Sequence, residues 1–167
     1  NNISEKMLLS VKIKGEEYLA LNEVVLKSDI SKPVYISAKI NGEFFDEYRA
    51  DGIIVCTPTG STAYALSAGG PIISPEVDAF SIIPVCPHSL HSRPLVVPSA
   101  DGITLSGIRK EDKICAIVDG RFVAEIDGNC TVSVSKSKYK VKFFTDVQNC
   151  FFKKLRAKMN RWGVTKD

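Results

Sequence analysis

The chain has 167 residues, 44% of them hydrophobic and 25% charged, and its 22 basic and 19 acidic side chains leave a net charge of +3. That length suits about one domain, able to bury roughly two-thirds of its unfolded surface. The slight positive balance, with no Lys/Arg-rich tract and no interleaved aromatic platform, argues against a nucleic-acid surface, and the apolar runs are too short for a membrane-spanning helix.

In chain order, Met7, Leu9, Val11 and Ile13 alternate with Ser10, Lys12 and Lys14, the period of a half-buried strand. Gly15 turns the chain, and YLALNEVVL (18–26) reads as the partner strand. VYISAKI and EFFDEYR flank Asn41-Gly42, a strong two-residue hairpin signal. DGIIVCT (51–57) and FSIIPVC (80–86) read as continuous apolar strands, the first buried on both faces. ICAIV and RFVAEI flank a second hairpin pair, Asp119-Gly120, and 130–144 alternates through at least one more strand. About ten or more strands joined by short turns predict a mainly β, largely antiparallel sandwich. Two helices are predicted. One covers about 62–68, with Ser61 able to cap it and Gly69 to end it. The other covers about 148–160, where Phe151, Leu155 and Met159 share a stripe.

The five cysteines (Cys56, Cys86, Cys115, Cys130 and Cys150) are scattered without a CxxC pair. Cys56, Cys86 and Cys115 lie in apolar runs, where a free thiol packs as a small hydrophobe. An odd count and no signal peptide lead us to expect a cytoplasmic protein. His88 and His91 are the only histidines, so no metal site is expected. The chain starts without a methionine and enters strand-like alternation almost at once, as a piece of something longer would.

Two features carry chemistry. CTPTGSTAYALSAGGP (56–71) follows a strand and opens a helix, an order that offers backbone N–H groups to an anion or a polar ring. Thr57, Thr59, Ser61 and Thr62 add hydroxyls, and Gly60 allows close approach to the backbone. It lacks the lysine of a Walker A loop. A well-capped turn using its hydroxyls on its own backbone is the competing explanation. The second feature is Asn22-Glu23, polar neighbours inside an apolar run. Burying either unpaired costs about 1–3 kcal/mol. One could be solvated and the other bonded locally, or the pair could grip sugar hydroxyls.

Taken together, ALNEVVL, DGIIVCTPTGSTAYALSAGGPI and PVCPHSLHSRPLVVP resemble the C-terminal domain of the NAD kinase family, from about residue 18 to about 163. The resemblance implies that Asn22 and Glu23 bind the adenosine sugar of NAD, that Thr59, Thr62, Ala63 and Tyr64 line the dinucleotide, and that Ser67 makes a further polar contact. Asp51 is similar to an aspartate that reaches the nicotinamide half, often across a subunit boundary. Cys86, His88 and Arg93 lie in a segment resembling one that closes a neighbour's site. Plainer roles compete: Asp51 in a turn, Tyr64 in the core, His88 packed in a loop, Cys86 as a packed thiol and Asp119 as a turn residue. The family also implies ATP or polyphosphate as phosphoryl donor, a divalent metal such as Mg in the full-length enzyme, and a homodimer or homotetramer. The family's Gly-Gly-Asp-Gly motif, whose aspartate is expected to deprotonate the adenosine 2′-hydroxyl, occurs nowhere in the 167 residues. The expectation is therefore an NAD-binding domain, 1–167, inactive alone. The alternatives are a related lipid (diacylglycerol or sphingosine) kinase domain and a non-enzymatic nucleotide-binding sandwich.

Overall fold

The computed structural model describes residues 2–29, 32–128, 130–145 and 151–163. Twelve strands occur among them: β1 (Asn2–Ile13), β2 (Glu16–Ala20), β3 (Glu23–Ser28), β4 (Val34–Ile40), β5 (Glu43–Ala50), β6 (Gly52–Cys56), β7 (Ala79–Val85), β8 (Leu95–Pro98), β9 (Ile103–Gly107), β10 (Ile114–Val118), β11 (Arg121–Ile126) and β12 (Thr131–Thr145). They form two six-stranded sheets, in the orders β2-β1-β12-β9-β4-β5 and β11-β10-β3-β6-β7-β8. Every pairing is antiparallel.

The expected mainly β sandwich is what forms. One core lies between the sheets. Leu9, Val11 and Ile13 of β1 and Val132 and Val134 of β12 meet Val24, Leu26, Ile53, Val55, Phe80 and Ile82 from the facing sheet. A smaller cluster lies on the outer face of the second sheet, where Val25, Ile54, Cys56 and Ile83 pack with Ala65. Strands β3, β6 and β7 are thus covered on both sides at their middle, which is why their sequences are apolar runs rather than alternating ones. All five residues of β6 are buried.

Both predicted hairpins form. Asn41 and Gly42 have φ of 52° and 84°, and Asp119 and Gly120 have φ of 45° and 77°. Two positive values in succession are what a primed turn requires, and Asn-Gly or Asp-Gly supplies them at low cost.

Several boundaries differ from the sequence reading. The run 18–26 is not one strand. β2 ends at Ala20, Leu21 and Asn22 form a bend, and β3 begins at Glu23 in the other sheet. The first helix is shorter than expected: a 3-10 turn at Gly60–Thr62, then a single helical turn, α1 (Tyr64–Ser67). Ser61 does not cap it; Ala63 stands at that position with no side-chain bond. Gly69 does follow it with φ of 81°. The second helix, α2, spans Phe151–Gly163, and the expected start at 148–150 lies outside the described residues. Phe151 and Leu155 are half-buried, but Met159, on the same stripe, is exposed.

Candidate functional site

The bend at Leu21–Asn22 crosses from one sheet to the other, so its backbone groups belong to neither ladder and need other partners. Two residues distant in sequence supply them. The Asp119 carboxylate accepts from three successive N–H groups: Leu21 at 2.7 Å, Asn22 at 2.8 Å and Glu23 at 3.1 Å. The Asp119 N–H donates back to the Glu23 carbonyl at 3.0 Å. From the end of β6, the Thr57 hydroxyl donates to the Leu21 carbonyl at 2.6 Å, and the Thr57 N–H donates to the Asn22 carbonyl at 2.9 Å. All six backbone polar groups of Leu21, Asn22 and Glu23 are therefore engaged.

Gly60 closes the other side. A Cβ there would fall 2.1 Å from the Asn22 carbonyl oxygen and 2.8 Å from its Cα. Glycine is needed there because the Asn22 backbone fills the space a side chain would take. Thr57 and Ser61 are likewise spent internally. The buried Ser61 hydroxyl donates to the Pro58 carbonyl at 2.7 Å and accepts from the Ile73 N–H at 3.0 Å, which ties the loop to the chain beyond α1. Of the four hydroxyl residues expected to face a ligand, Thr59 and Thr62 remain, the Thr62 hydroxyl making only a long bond to the Thr59 carbonyl at 3.4 Å. Both line a cavity of about 230 Å³ walled by Pro58, Phe151 and Leu155, and Lys158 of α2 donates to the Thr62 carbonyl at 3.1 Å.

With its backbone fixed, the corner presents two side chains. Asn22 is half-buried. Glu23 is only 7% exposed, and its Oε2 is buried with no hydrogen-bond partner. Burial first, then the charge of Asp119, push the Glu23 carboxyl up to about 7. An orphaned buried carboxyl is costly to keep unless something binds it. Across the β3–β6 ladder Glu23 faces Cys56, whose thiol is driven to about 12 by burial and then by Glu23, so it stays protonated and inert.

The remaining predicted residues divide into two groups. Ala63 (half-buried), Tyr64 (43% exposed) and Ser67 (exposed) sit with the 57–62 loop at the Cys56 end of β6. Tyr64 is therefore not a core residue. Asp51 lies at the opposite end of the same strand, about 20 Å away along an extended chain. Its backbone is held, donating to Val85 and accepting from Ser28, and the residue is exposed. The 86–93 segment is at that end too: the His88 N–H donates to the Arg49 carbonyl at 2.9 Å. Cys86 is exposed with φ of 47°, contrary to the packed thiol expected from its apolar surroundings, because the strand ends at Val85 and the chain turns out of the sheet. Arg93 folds onto its own loop, donating to the Leu90 and Ser92 carbonyls at 2.8 Å. One chain thus brings together Asn22, Glu23, Thr59, Thr62, Ala63, Tyr64 and Ser67, and holds Asp51, Cys86, His88 and Arg93 apart from them.

Sequence reasoning missed Asp119 as part of the site. An Asp-Gly pair between two strands reads as a turn, and Asn-Gly would make the same turn. The choice of a carboxylate was the one available signal.

A family model described as the ATP-NAD kinase C-terminal domain matches residues 21–145. The NAD kinase of Methanothermobacter thermautotrophicus is 42% identical over 163 residues, 97% of this chain and 57% of that protein. The NAD kinase of Caldicellulosiruptor bescii is 41% identical over 157 residues, 94% of this chain and 60% of that protein. Among solved structures, yeast NADH kinase complexed with NADH superposes with a TM-score of 0.85 at 28% identity, covering 99% of this chain and 50% of that one. An NAD kinase from Archaeoglobus fulgidus in complex with ATP gives 0.80 at 30% identity, covering 94% and 61%. The chain therefore spans little more than half the length of these relatives.

Proposed function

The chain belongs to the family of ATP-NAD kinase C-terminal domains, and on that footing we propose that it is the dinucleotide-binding part of an enzyme that phosphorylates the adenosine 2′-hydroxyl of NAD to give NADP. The observation that supports this most directly is the Glu23 Oε2: a buried carboxylate oxygen without a partner, beside Asn22, in a corner whose backbone is fully occupied. An amide and a carboxylate side by side suit a pair of sugar hydroxyls, since the amide both donates and accepts and the carboxylate accepts twice. They hold and orient the sugar; the neighbouring Thr59, Thr62, Ala63, Tyr64 and Ser67 line the rest of the dinucleotide.

The yeast relative is complexed with NADH and the Archaeoglobus fulgidus relative with ATP, and we take ATP as the phosphoryl donor here, with polyphosphate as the alternative. The donor's phosphates and the base that takes the hydroxyl proton belong to the Gly-Gly-Asp-Gly segment, which the 167 residues do not contain. Among the described residues no cluster of His, Cys, Asp and Glu side chains is placed to hold a metal ion, so no metal step is assigned to them. A transfer without a positioned base loses about 10²–10⁴ in rate. Asp51 and the 86–93 segment, remote from the corner, are read as completing the pocket of a second copy in a homodimer or homotetramer. The compartment we propose is the cytoplasm.

Calorimetric titration of the chain with NAD, with ATP and with diacylglycerol in detergent micelles, alongside a coupled assay for NADP, tests the reading. NAD is expected to bind, diacylglycerol not to, and NADP not to form. Binding of diacylglycerol in preference to NAD would move the chain to the lipid-kinase branch, and steady NADP formation would mean that the base lies within these residues.

A further inference from the structure

We propose that Asp119 is the positioning residue of the sugar-gripping corner: by holding three successive backbone N–H groups it sets the direction in which Asn22 and Glu23 point, and so the affinity for the ribose diol. This rests on the reading of the corner as the NAD sugar site.

Geometry carries the assignment. Asp119 is 96 to 98 residues away from the three groups it binds, and both of its oxygens are used, Oδ2 on Leu21 and Oδ1 on Asn22 and Glu23. A residue present only to make the turn between β10 and β11 needs a positive φ and nothing more, and asparagine supplies that equally well. An asparagine side chain has one acceptor oxygen, and its amide nitrogen would face an N–H donor. The three N–H groups need a carboxylate. They are also the groups that fix where the strand leaves the bend, which decides the side chains' exit vectors. Thr57 anchors the carbonyls of the same bend from the opposite side, so removing Asp119 frees one half of a two-sided clamp.

A second consequence is electrostatic. The titratable groups coupled to Glu23 are Asp119 on the β10–β11 turn and the Cys56 thiol on β6, and the thiol remains neutral. Burial does most to hold the Glu23 proton on, and Asp119 is the charge that adds to it. A residue acting only as scaffold would leave the pH profile of binding where it was.

The test is a double-mutant cycle read by calorimetric NAD titration from pH 5.5 to 8.5. In the wild-type background Asp119→Asn is expected to weaken NAD binding about tenfold to a hundredfold, and to move the pH midpoint of binding downward. In an Asn22→Ala background the same substitution is expected to cost clearly less than in the wild type, because one of the two groups it positions is gone. If Asp119→Asn does not fold, Asp119→Glu takes its place; it keeps the charge but displaces it by a methylene, so affinity falls and the pH midpoint stays. Equal losses in the two backgrounds, or unchanged NAD affinity in the single variant, overturn the assignment while leaving the NAD reading intact. A folded wild-type chain that does not bind NAD overturns both.

Discussion

The two ends of β6 are built differently. At the Cys56 end, four stretches of chain meet (the 21–23 bend, the 57–62 loop, the 119–120 turn and the Ile73 backbone), and their polar groups are consumed by one another. What they leave over is the Asn22 side chain and the Glu23 carboxyl. At the Asp51 end the backbone is bonded but the side chains are not gathered. Asp51, Cys86 and His88 are exposed, Arg93 serves its own loop, and Leu90 stands 88% exposed. One end is tied together within the chain; the other leaves its side chains exposed or turned to their own loop. A corner held this way is preorganised, which lowers the ordering cost of anything that binds there.

The sharpest way to break that contrast is Gly60→Ala. The added methyl group would stand 2.1 Å from the Asn22 carbonyl oxygen, so the loop and the bend must part. We expect a loss of about 3 kcal/mol in urea unfolding and NAD binding weakened more than tenfold. A variant with wild-type stability would show that the contact is soft and the clamped end is not rigid.

Next in size is the pH dependence of the clamped end. Glu23 is raised in the folded chain to about 7 from the ordinary carboxyl value. Between these two values the unfolded chain loses its proton first. Stability therefore falls as pH rises from about 4.5 to 7 and levels off above, by on the order of 2 kcal/mol after allowance for partial solvent access. Glu23→Gln should flatten this slope in thermal unfolding followed across that range. NAD binding should change in the opposite sense, tightening as pH rises through 7, since the ionised carboxylate is the better acceptor. Affinity that does not vary with pH would separate Glu23 from the sugar.

The smallest effect belongs to the other end. Asp51→Ala should alter the chain's own stability by less than about 0.5 kcal/mol. Any effect on NAD affinity should appear only at concentrations where sedimentation velocity shows self-association, because linked equilibria strengthen each other. A destabilised monomer would mean that Asp51 is part of the scaffold after all.

What was legible in the sequence follows from the range of the forces involved. Hairpins at Asn41-Gly42 and Asp119-Gly120 were readable because a positive φ is a local demand that few residues meet. The strands β8 and β9 were not separately assigned: Leu95–Pro98 and Ile103–Gly107 are four and five residues long, too short for a period to declare itself. The change of sheet at Leu21–Asn22 was hidden because the apolar run continues through it, and the residue that permits the break, Asp119, is nearly a hundred positions away. Asn22 and Glu23 stood out only as polar neighbours among apolar ones. Ser61 could cap or bridge on its chemistry alone; its burial against Ile73 decided for bridging. The Cys86 reading failed for the converse reason, since an apolar neighbourhood in sequence does not say where the strand ends.

The bend at Leu21–Asn22 also constrains how such a chain can change in length. A hairpin tip such as Lys14-Gly15 can take an extra residue, because an enlarged loop there needs only solvent around it. Between β2 and β3 every donor and acceptor already has its mate, on both sides and from two distant segments. An inserted residue would bring an unmatched amide and carbonyl and shift one sheet against the other by a step, turning each side chain of β3 to the wrong face. Insertions and deletions are therefore expected to accumulate at the rims of the sandwich and to stop short of this crossing, which makes its length, as much as its residues, a mark of the site.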